Sequence, residues 1–103
     1  MMSRLTAAIA KHASAAAGVE VLELRAAIEA LGVIGLPADV DTLVPLLDKE
    51  DCRDIRAAAA RALRDIGSST AIAPLRARLV KEASPQVQFA ISDALRVLSG
   101  TSP

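Results

Sequence analysis

The sequence is poor in aromatic residues. Among its 103 residues there is no Trp and no Tyr, and the single Phe is Phe89. Hydrophobic residues nevertheless make up 52% of the chain, so the core must consist of Ala, Leu, Ile and Val, which suit closely packed helices. No alternating run rich in Val, Ile and Thr competes with a helical interpretation, and Ala is the strongest helix former. The composition predicts an all-α protein.

Cysteine is also scarce, and long apolar runs are absent. The single cysteine, Cys52, excludes an internal disulfide and fits a reducing compartment, which favours a cytoplasmic location. No apolar run approaches the roughly 18–20 residues that a membrane span needs, so we expect no membrane association. Near the N-terminus Ala13-Ser14-Ala15 is similar to a cleavage site, but the apolar stretch Leu5–Ala10 is short and interrupted by Lys11. We favour an alanine-rich capping helix there over a targeting segment.

An excess of one charge is lacking too, although the charges are unevenly placed. The formal net charge is zero. Residues 1–19 hold two basic residues, for +2, residues 20–54 hold nine acidic and three basic residues, for −6, and residues 55–103 hold seven basic and three acidic residues, for +4. This balance argues against nucleic acid as a partner for this chain. The layout suits head-to-tail association or an acidic partner, and solvated helix faces that merely differ in charge are the alternative.

What the sequence does contain is an internal repeat with a period of about 32 residues, a length typical of a solenoid of stacked units. Its clearest copy is Ile55–Gly67, an amphipathic segment closed by a glycine, with near-copies one period upstream and one period downstream. Positions of equal phase carry similar residues: Leu31, Leu63 and Leu95; Ala30, Ala62 and Ala94; Ile34, Ile66 and Leu98; Gly35 and Gly67.

The periodicity predicts six helices in three antiparallel pairs, within a single domain over residues 1–103. The helices are expected at about 4–16, 19–34, 38–48, 53–66, 70–82 and 85–98. The repeats then cover about 3–35, 36–67 and 68–99, followed by a tail at 100–103. Gly35 should end the second helix in the left-handed conformation, and Ser84-Pro85 should supply the N-cap and first residue of the sixth. Pro45 is expected to kink the third helix near Asp41, or to let it begin there.

Two groups of residues carry a family likeness. They are Ala71-Ile72-Ala73-Pro74-Leu75 with Leu79, Glu82, Pro85 and Val87, and Asp51 with Ile55-Arg56, Ala59, Ala62-Leu63 and Ile66-Gly67. Through them, residues 20–99 resemble HEAT repeats, most closely the short type found in bacterial proteins and in phycobilin-lyase-like proteins. The resemblance implies a right-handed α-solenoid of about three HEAT-like antiparallel helix pairs, in a family of scaffolds, adaptors and a few lyases.

The resemblance also implies that an aspartate before the second helix of a unit, and an arginine in its first turn, link neighbouring units. Only the central repeat keeps both residues, as Asp51 and Arg56. The matching residues are Ala83 and Gln88 in the third repeat, and Val19 and Leu24 in the first. This ladder is therefore missing at both ends, and no residues match those of a lyase.

Residues suited to catalysis are few and isolated. His12 has no carboxylate at helical spacing and lies far from Cys52 in sequence, so an exposed histidine is favoured over an acid–base or metal-binding role. The acidic neighbours of Cys52 oppose thiolate formation. The run Asp48–Asp54 lacks the central glycine and distal glutamate of a calcium loop, and we expect its acids to cap the following helix. We predict no catalytic residue, no metal and no cofactor.

The second helices of the three pairs are expected to line the inner face of the stack. The repeat register places Glu29, Arg61 and Asp93 in one row of alternating charge. A structural ladder that holds adjacent helices in register is the favoured interpretation, although each exposed pair would contribute at most about 1 kcal/mol.

Neighbouring positions predict a docking surface. Arg64, Arg96 and Phe89 should share one face and form an anchor cluster, because arginine and aromatic residues are enriched at interface hot spots. Packing of Phe89 at the end of the array is the alternative. Val33 and Val97 are expected to be exposed, which would mark a partner surface or a site of self-association. The apolar residues expected to be uncovered on the sixth helix are Phe89, Ile91, Val97 and Leu98.

The favoured function is a non-catalytic protein–protein interaction module, serving as an adaptor or small subunit of a larger assembly. Its binding residues would be Arg61, Arg64, Phe89, Asp93, Arg96 and Val97. Asp51, Arg56 and Glu29 would hold the repeats together, and the C-terminal helix could also support a homo-oligomer. The resemblance leaves a lyase-like or cofactor-handling accessory protein as the alternative. Weak nucleic-acid binding through the basic C-terminal half ranks last.

Overall fold

The computed structural model describes residue 9 and residues 19–100. This part of the chain contains five α-helices and no β-strand. The helices are α1 (Val19–Ile34), α2 (Val40–Leu43), α3 (Arg53–Ile66), α4 (Ile72–Lys81) and α5 (Pro85–Leu98). Short 3₁₀ helices at Pro37–Asp39, Val44–Asp48 and Ser69–Ala71 precede or extend α2 and α4. The all-α prediction is confirmed. The count of six helices is not, because the predicted first helix lies outside the described residues except for Ile9, which is buried.

Helices α1, α3 and α5 begin and end at the predicted residues, because strong local signals stand at their ends. Gly35 and Gly67 follow α1 and α3 with φ of 75° and 78°, a left-handed conformation that glycine adopts without steric cost. Pro85 occupies the first turn of α5, where its missing N–H breaks no helical bond. Ser84 is the N-cap residue as predicted, but its hydroxyl caps no backbone N–H.

The predicted continuous helix over 38–48 is wrong. The chain forms a 3₁₀ turn, the single α-turn α2 and a second 3₁₀ helix, Val44–Asp48, with Pro45 in its first turn. Helix α2 begins at Val40, next to Asp41, which agrees with the expectation that the helix would begin there, but the chain tightens at Val44 instead of kinking near Asp41. Pro45 has no N–H to donate to the carbonyl four residues earlier, so the α-helical ladder cannot pass through it and the chain continues in the tighter helix.

Helix α3 lies at the centre of the stack, with α1 on one side and α5 on the other. Its side chains are small and almost completely buried: Ala57, Ala58, Ala59, Ala60 and Ala62 are each at most 2% exposed. Small residues let the helix backbones approach closely. At Gly32 of α1, an added Cβ would lie 3.0 Å from the Cα of Ala62.

The other layer consists of α2 with its 3₁₀ extension, which packs on α3, and of α4, which packs on α5. Helices α3 and α5 run parallel, because Gln86 near the start of α5 contacts Asp54 near the start of α3, and Asp93 contacts Arg64 near their ends. Asp54 and Gln86 stand one repeat length apart in the sequence. Successive repeats are thus stacked side by side as a helical solenoid around one aliphatic core.

Candidate functional site

A buried ionic cluster joins the second and third repeats. The carboxylate of Glu82 accepts hydrogen bonds from Arg56 Nε at 2.8 Å and Nη2 at 3.0 Å, and from Arg78 Nε at 3.0 Å. The exposed fractions of these side chains are 0% for Glu82, 3% for Arg78 and 8% for Arg56. Both guanidinium groups therefore depend on one carboxylate that is screened from water. We call these three residues the Glu82 cluster.

The Glu82 cluster extends into the turn before α3. Arg56 Nη1 donates to the carbonyl oxygens of Lys49 and Glu50, at 2.8 and 3.0 Å. Arg78 Nη1 donates to Glu50 Oε1 at 2.6 Å and to Asp48 Oδ1 at 3.1 Å. The turn of the second repeat is thereby fixed to the first helix of the third.

One contact of the cluster recurs at the next repeat. Gln88, which takes the position of Arg56 one repeat later, donates its side-chain amide to the carbonyl of Glu82 at 2.7 Å. Glu82 is in turn the repeat equivalent of Glu50, whose carbonyl Arg56 contacts. In both repeats the side chain at this position therefore donates a hydrogen bond to the turn that precedes its own helix. The residue is an arginine in the second repeat and a glutamine in the third.

The pKa shifts agree with this geometry. Burial would raise the pKa of Glu82, but hydrogen bonds from Arg56, from the backbone N–H of Ser84 and from Arg78 outweigh it and lower the pKa to about 2. The hydrogen bond to Glu50 raises the pKa of Arg78, and the same bond lowers the pKa of Glu50. Glu82 and Arg78 are therefore both ionised at neutral pH.

Of the two residues expected to link neighbouring units, the structure places only Arg56 between repeats. Asp51 is exposed and pairs with Lys49 of its own turn, at 3.2 Å, so within the described chain it links no other unit. Arg78 and Glu82 were not predicted from the sequence as residues that link repeats. A signal was present for Glu82, because Lys81-Glu82 repeats Lys49-Glu50 one period later.

The predicted row of Glu29, Arg61 and Asp93 does not form a ladder. Glu29 pairs with Arg25 of its own helix at 2.9 Å, and Arg61 forms no hydrogen bond or ion pair within the described residues. Asp93 instead accepts from Arg64 Nη1 at 2.8 Å. Helical side chains lean towards the N-terminus of their helix, so an arginine one turn beyond Arg61 reaches the level of Asp93.

The predicted anchor cluster does come together on α5. Arg64 and Arg96 both bind Asp93, and Phe89 borders a shallow depression of about 270 Å³ with Asp93 and Arg96. Hydrogen bonds from Arg64 and then Arg96 lower the pKa of Asp93, and the bond to Asp93 raises the pKa of Arg64. Phe89 is 76% exposed, so it does not pack into the end of the array. We call Phe89, Asp93, Arg96 and Arg64 the α5 cluster.

Most exposure predictions for apolar residues agree with the structure. Val33 and Val97 are 85% and 47% exposed. Ile91 is the exception: it is fully buried and faces the core, and Leu98 is partly buried.

Arg61 lies in an open groove of about 530 Å³ between α1 and α3. Arg25, Glu29 and Val33 form one wall, and Asp65 and Arg64 contribute to the other. Since Arg61 is unpaired among the described residues, its guanidinium is free to meet an anionic group that enters this groove.

The acidic run before α3 serves a different purpose from the one expected. The N-cap residue of α3 is Cys52, whose side chain forms no capping hydrogen bond. Of the acidic residues in the run, only Asp54 lies in the first turn of α3. Asp48 and Glu50 bind Arg78 across the repeat junction instead. The strong donors of Arg78 attract these carboxylates more than the partial charge of a helix terminus does.

The structure describes no metal-binding arrangement and no membrane-spanning helix. Among the described residues there is no group of three or more His, Cys, Asp or Glu side chains placed to hold an ion. None of the described helices is both long and apolar enough to cross a membrane. Cys52 is a free, half-buried thiol, and His12 lies outside the described residues.

Comparison with known proteins agrees with this architecture. The family model for HEAT repeats matches residues 5–96. Neither the curated proteins nor the solved structures gave a significant match. HEAT repeats are commonly protein-interaction modules, and the family is generally non-catalytic. With the stacked antiparallel helices and the repeat period of the sequence, the match shows that this chain belongs to the HEAT-repeat family.

Proposed function

We propose that this protein is a non-catalytic interaction module, an adaptor or small subunit of a larger assembly, that binds another protein through α5. The binding residues would be Phe89, Asp93, Arg96 and Val97 of α5 with Arg61 and Arg64 of α3. Membership of the HEAT-repeat family supports the general role. The residues themselves are proposed from their exposure and chemistry.

The observation that carries the proposal is the environment of Phe89. The only aromatic residue of the chain is 76% exposed, beside the guanidinium group of Arg96 and the carboxylate of Asp93. An exposed aromatic ring costs free energy in water and contributes strongly when a partner covers it, and arginine is the residue that most often accompanies it at hot spots. Val97, two helical turns further on, extends the apolar surface.

The same contacts argue against nucleic-acid binding. Of the seven basic residues in 55–103, five already pair with carboxylates: Arg56, Arg64, Arg78, Lys81 and Arg96. Phosphate binding depends on basic side chains that are free to replace counterions. Only Arg61 and Arg76 remain without such a partner in the described chain, which favours a protein partner.

The test is photo-crosslinking in native extract, with a photoreactive side chain in place of exposed Ser92 beside Phe89. We expect one protein to be crosslinked by the parent chain and lost with Phe89→Ala. Leu36→Ala is the matched control, since Leu36 is also an exposed apolar residue, at 54%, but lies in the turn after α1. An unchanged crosslinking pattern with Phe89→Ala would contradict the assigned surface, and the absence of any crosslinked protein would contradict the proposed role.

A further inference from the structure

The third repeat exposes a surface that the second repeat buries. Ala57, Ala60 and Arg64 lie on one side of α3, and the bond from Arg64 to Asp93 shows that this side faces α5. Ala57 and Ala60 are 0% exposed. One repeat later the same positions are Phe89, Ser92 and Arg96, and all three are exposed.

A further exposed apolar residue lies on the first helix of the third repeat. Asp48 binds Arg78 and Lys81 across the junction between repeats. Its equivalent in the third repeat is Val80, which is 90% exposed. We call Val80, Phe89, Ser92 and Arg96 the end face.

At the opposite side of the stack, α1 exposes the complementary surface. Ala62 packs against Gly32 of α1, and Ala58 lies one turn earlier on the same side of α3; they are 2% and 1% exposed. Their equivalents in the first repeat are Ala30, which is half-buried, and Ala26, which is exposed. The neighbouring Leu22 and Val33 are 64% and 85% exposed. We call Leu22, Ala26, Glu29, Ala30 and Val33 the start face.

We propose that the end face of one molecule binds the start face of a second copy, so that α5 packs beside α1 of the next molecule as α3 packs beside α5. This inference rests on the proposed function, since it names the partner of the α5 surface. In this register Phe89 of one molecule lies against Ala26 and Ala30 of the next, and the exposed apolar surface of Phe89 and Ala26 leaves water.

The charge pair of the internal junction recurs at this contact. Arg64 of one repeat binds Asp93 of the next. The repeat equivalent of Arg64 is Arg96, and the first-repeat equivalent of Asp93 is Glu29. Stacking of two copies in register therefore brings Arg96 of one molecule to Glu29 of the other. Both side chains are about half exposed, at 51% and 53%, so each can add this contact to its present partner, Asp93 for Arg96 and Arg25 for Glu29. At the junction between the first and second repeats the same two positions are Gly32 and Arg61, so the pair is absent there.

The overall charge layout favours this contact over a symmetric dimer. Helix α1, which carries the start face, holds three acidic residues and one basic residue, for −2, and residues 68–99 hold four basic and two acidic residues, for +2, so head-to-tail stacking brings opposite charges together. A symmetric contact between two end faces would place Arg96 near its own copy, together with exposed Arg76. Like charges across an interface oppose association, whereas complementary ones orient and accelerate it.

Sedimentation of the purified full chain tests the proposal by charge reversal. The parent protein should show an average mass that rises with concentration and passes the dimer, since a head-to-tail contact that does not close gives open chains. High salt should weaken the association. Arg96→Glu or Glu29→Arg alone should each weaken it by on the order of 100-fold, because like charges then meet.

Restoration separates this contact from a general loss of folding. Arg96→Glu mixed with Glu29→Arg should associate again, because each end face then meets a start face of opposite charge. The double variant Glu29→Arg/Arg96→Glu should also associate by itself. Arg53→Glu and Asp41→Arg are the controls: they change the net charge equally at exposed residues outside both faces and should behave as the parent protein.

A parent chain that stays monomeric, or a dimer that does not grow and is insensitive to Glu29→Arg, would overturn the inference. If that monomer still crosslinks a different protein through the α5 surface, the proposed function stands without self-stacking. If it crosslinks none, both are overturned.

Discussion

At the scale of single residues, Glu82 has no exposed surface and lies between the guanidinium groups of Arg56 and Arg78. Three charges that leave water together lose hydration free energy, and only close, well-oriented hydrogen bonds compensate for that loss. Removal of Glu82 would leave the buried guanidinium group of Arg56 without a carboxylate partner, whereas removal of either arginine would leave Glu82 paired with the other. The residue that the junction depends on most is therefore the shared carboxylate, more than either arginine.

We predict that Glu82→Gln lowers the free energy of unfolding by about 3 kcal/mol, because the buried Arg56 loses its only carboxylate partner in the described chain and Arg78 loses one of three. Urea unfolding followed by circular dichroism measures this. Asp51→Asn is the matched control, since Asp51 is exposed and pairs only with Lys49 in the described chain, and it should cost less than about 1 kcal/mol. Equal losses for the two variants would show that the buried cluster contributes no more than a surface pair.

The lowered pKa of Glu82 predicts sensitivity to acid. The carboxyl titrates at about 2 in the folded chain against an ordinary value of 4.5, so the unfolded chain binds the proton first as pH falls. The stabilisation is complete above pH 4.5 and is lost as pH falls towards 2. It amounts to about 3 kcal/mol.

The free energies of unfolding of the parent chain and of Glu82→Gln should therefore become equal as pH falls towards 2. The pKa values of Glu50 and Asp93 are lowered as well and act in the same direction, so the difference between the two proteins isolates Glu82. A difference in the free energy of unfolding that stays constant with pH would contradict the lowered pKa of Glu82.

At the scale of helices, the contact between α1 and α3 is set by residue size. An added Cβ at Gly32 would meet the Cα of Ala62 at 3.0 Å and its Cβ at 3.2 Å. A backbone atom cannot move without the helix that carries it. Glycine here serves close packing and is unrelated to chain flexibility. The same reason explains the run of alanines in α3, which has a helix on either side.

Gly32→Ala should therefore destabilise the protein by about 1–3 kcal/mol through overpacking, although alanine is the better helix former. Thermal unfolding measures the change. Ala26→Gly on the exposed side of α1 is the control, because it reports helix propensity alone and should cost about 1 kcal/mol. A stabilised Gly32→Ala variant would mean that α1 and α3 can separate at little cost.

At the scale of the whole molecule, the central helix is the most protected of the described helices. Helix α3 packs against both α1 and α5, whereas these two each expose one side. Local opening follows the number of neighbours that must be released. The position of an element in the stack, more than its own sequence, sets its local stability.

Native-state hydrogen exchange should therefore show the slowest amides in α3, by about tenfold or more over those of α1 and α5. The measurement belongs at low protein concentration, where stacking between copies would not protect the end helices. Exchange in α5 as slow as in α3 would contradict the stack described here.

Local sequence specifies the helices and their period. The bounds of α1, α3 and α5, the glycine terminators and the repeat spacing all follow from interactions within a few residues, which need no knowledge of the fold. Exposure of Val97 followed from the same periodicity, whereas packing of Phe89 at the end of the array remained an alternative. Pro45 indicated that a helix over 38–48 would be interrupted, but the expected kink near Asp41 does not form, because the helix tightens at Val44.

Which charges meet depends on the packing of the helices. Arg56 binds Glu82 and the carbonyl oxygens of the preceding turn, whereas Asp51 lies outside the junction. Asp93 binds Arg64, and Arg61 is unpaired in the described chain. Repeat register places positions in rows, but a long side chain reaches about one turn along its helix, and neighbouring helices fix which partner lies within about 3 Å. Local periodicity cannot encode that offset, because it depends on how closely the small residues of α3 let the helices approach.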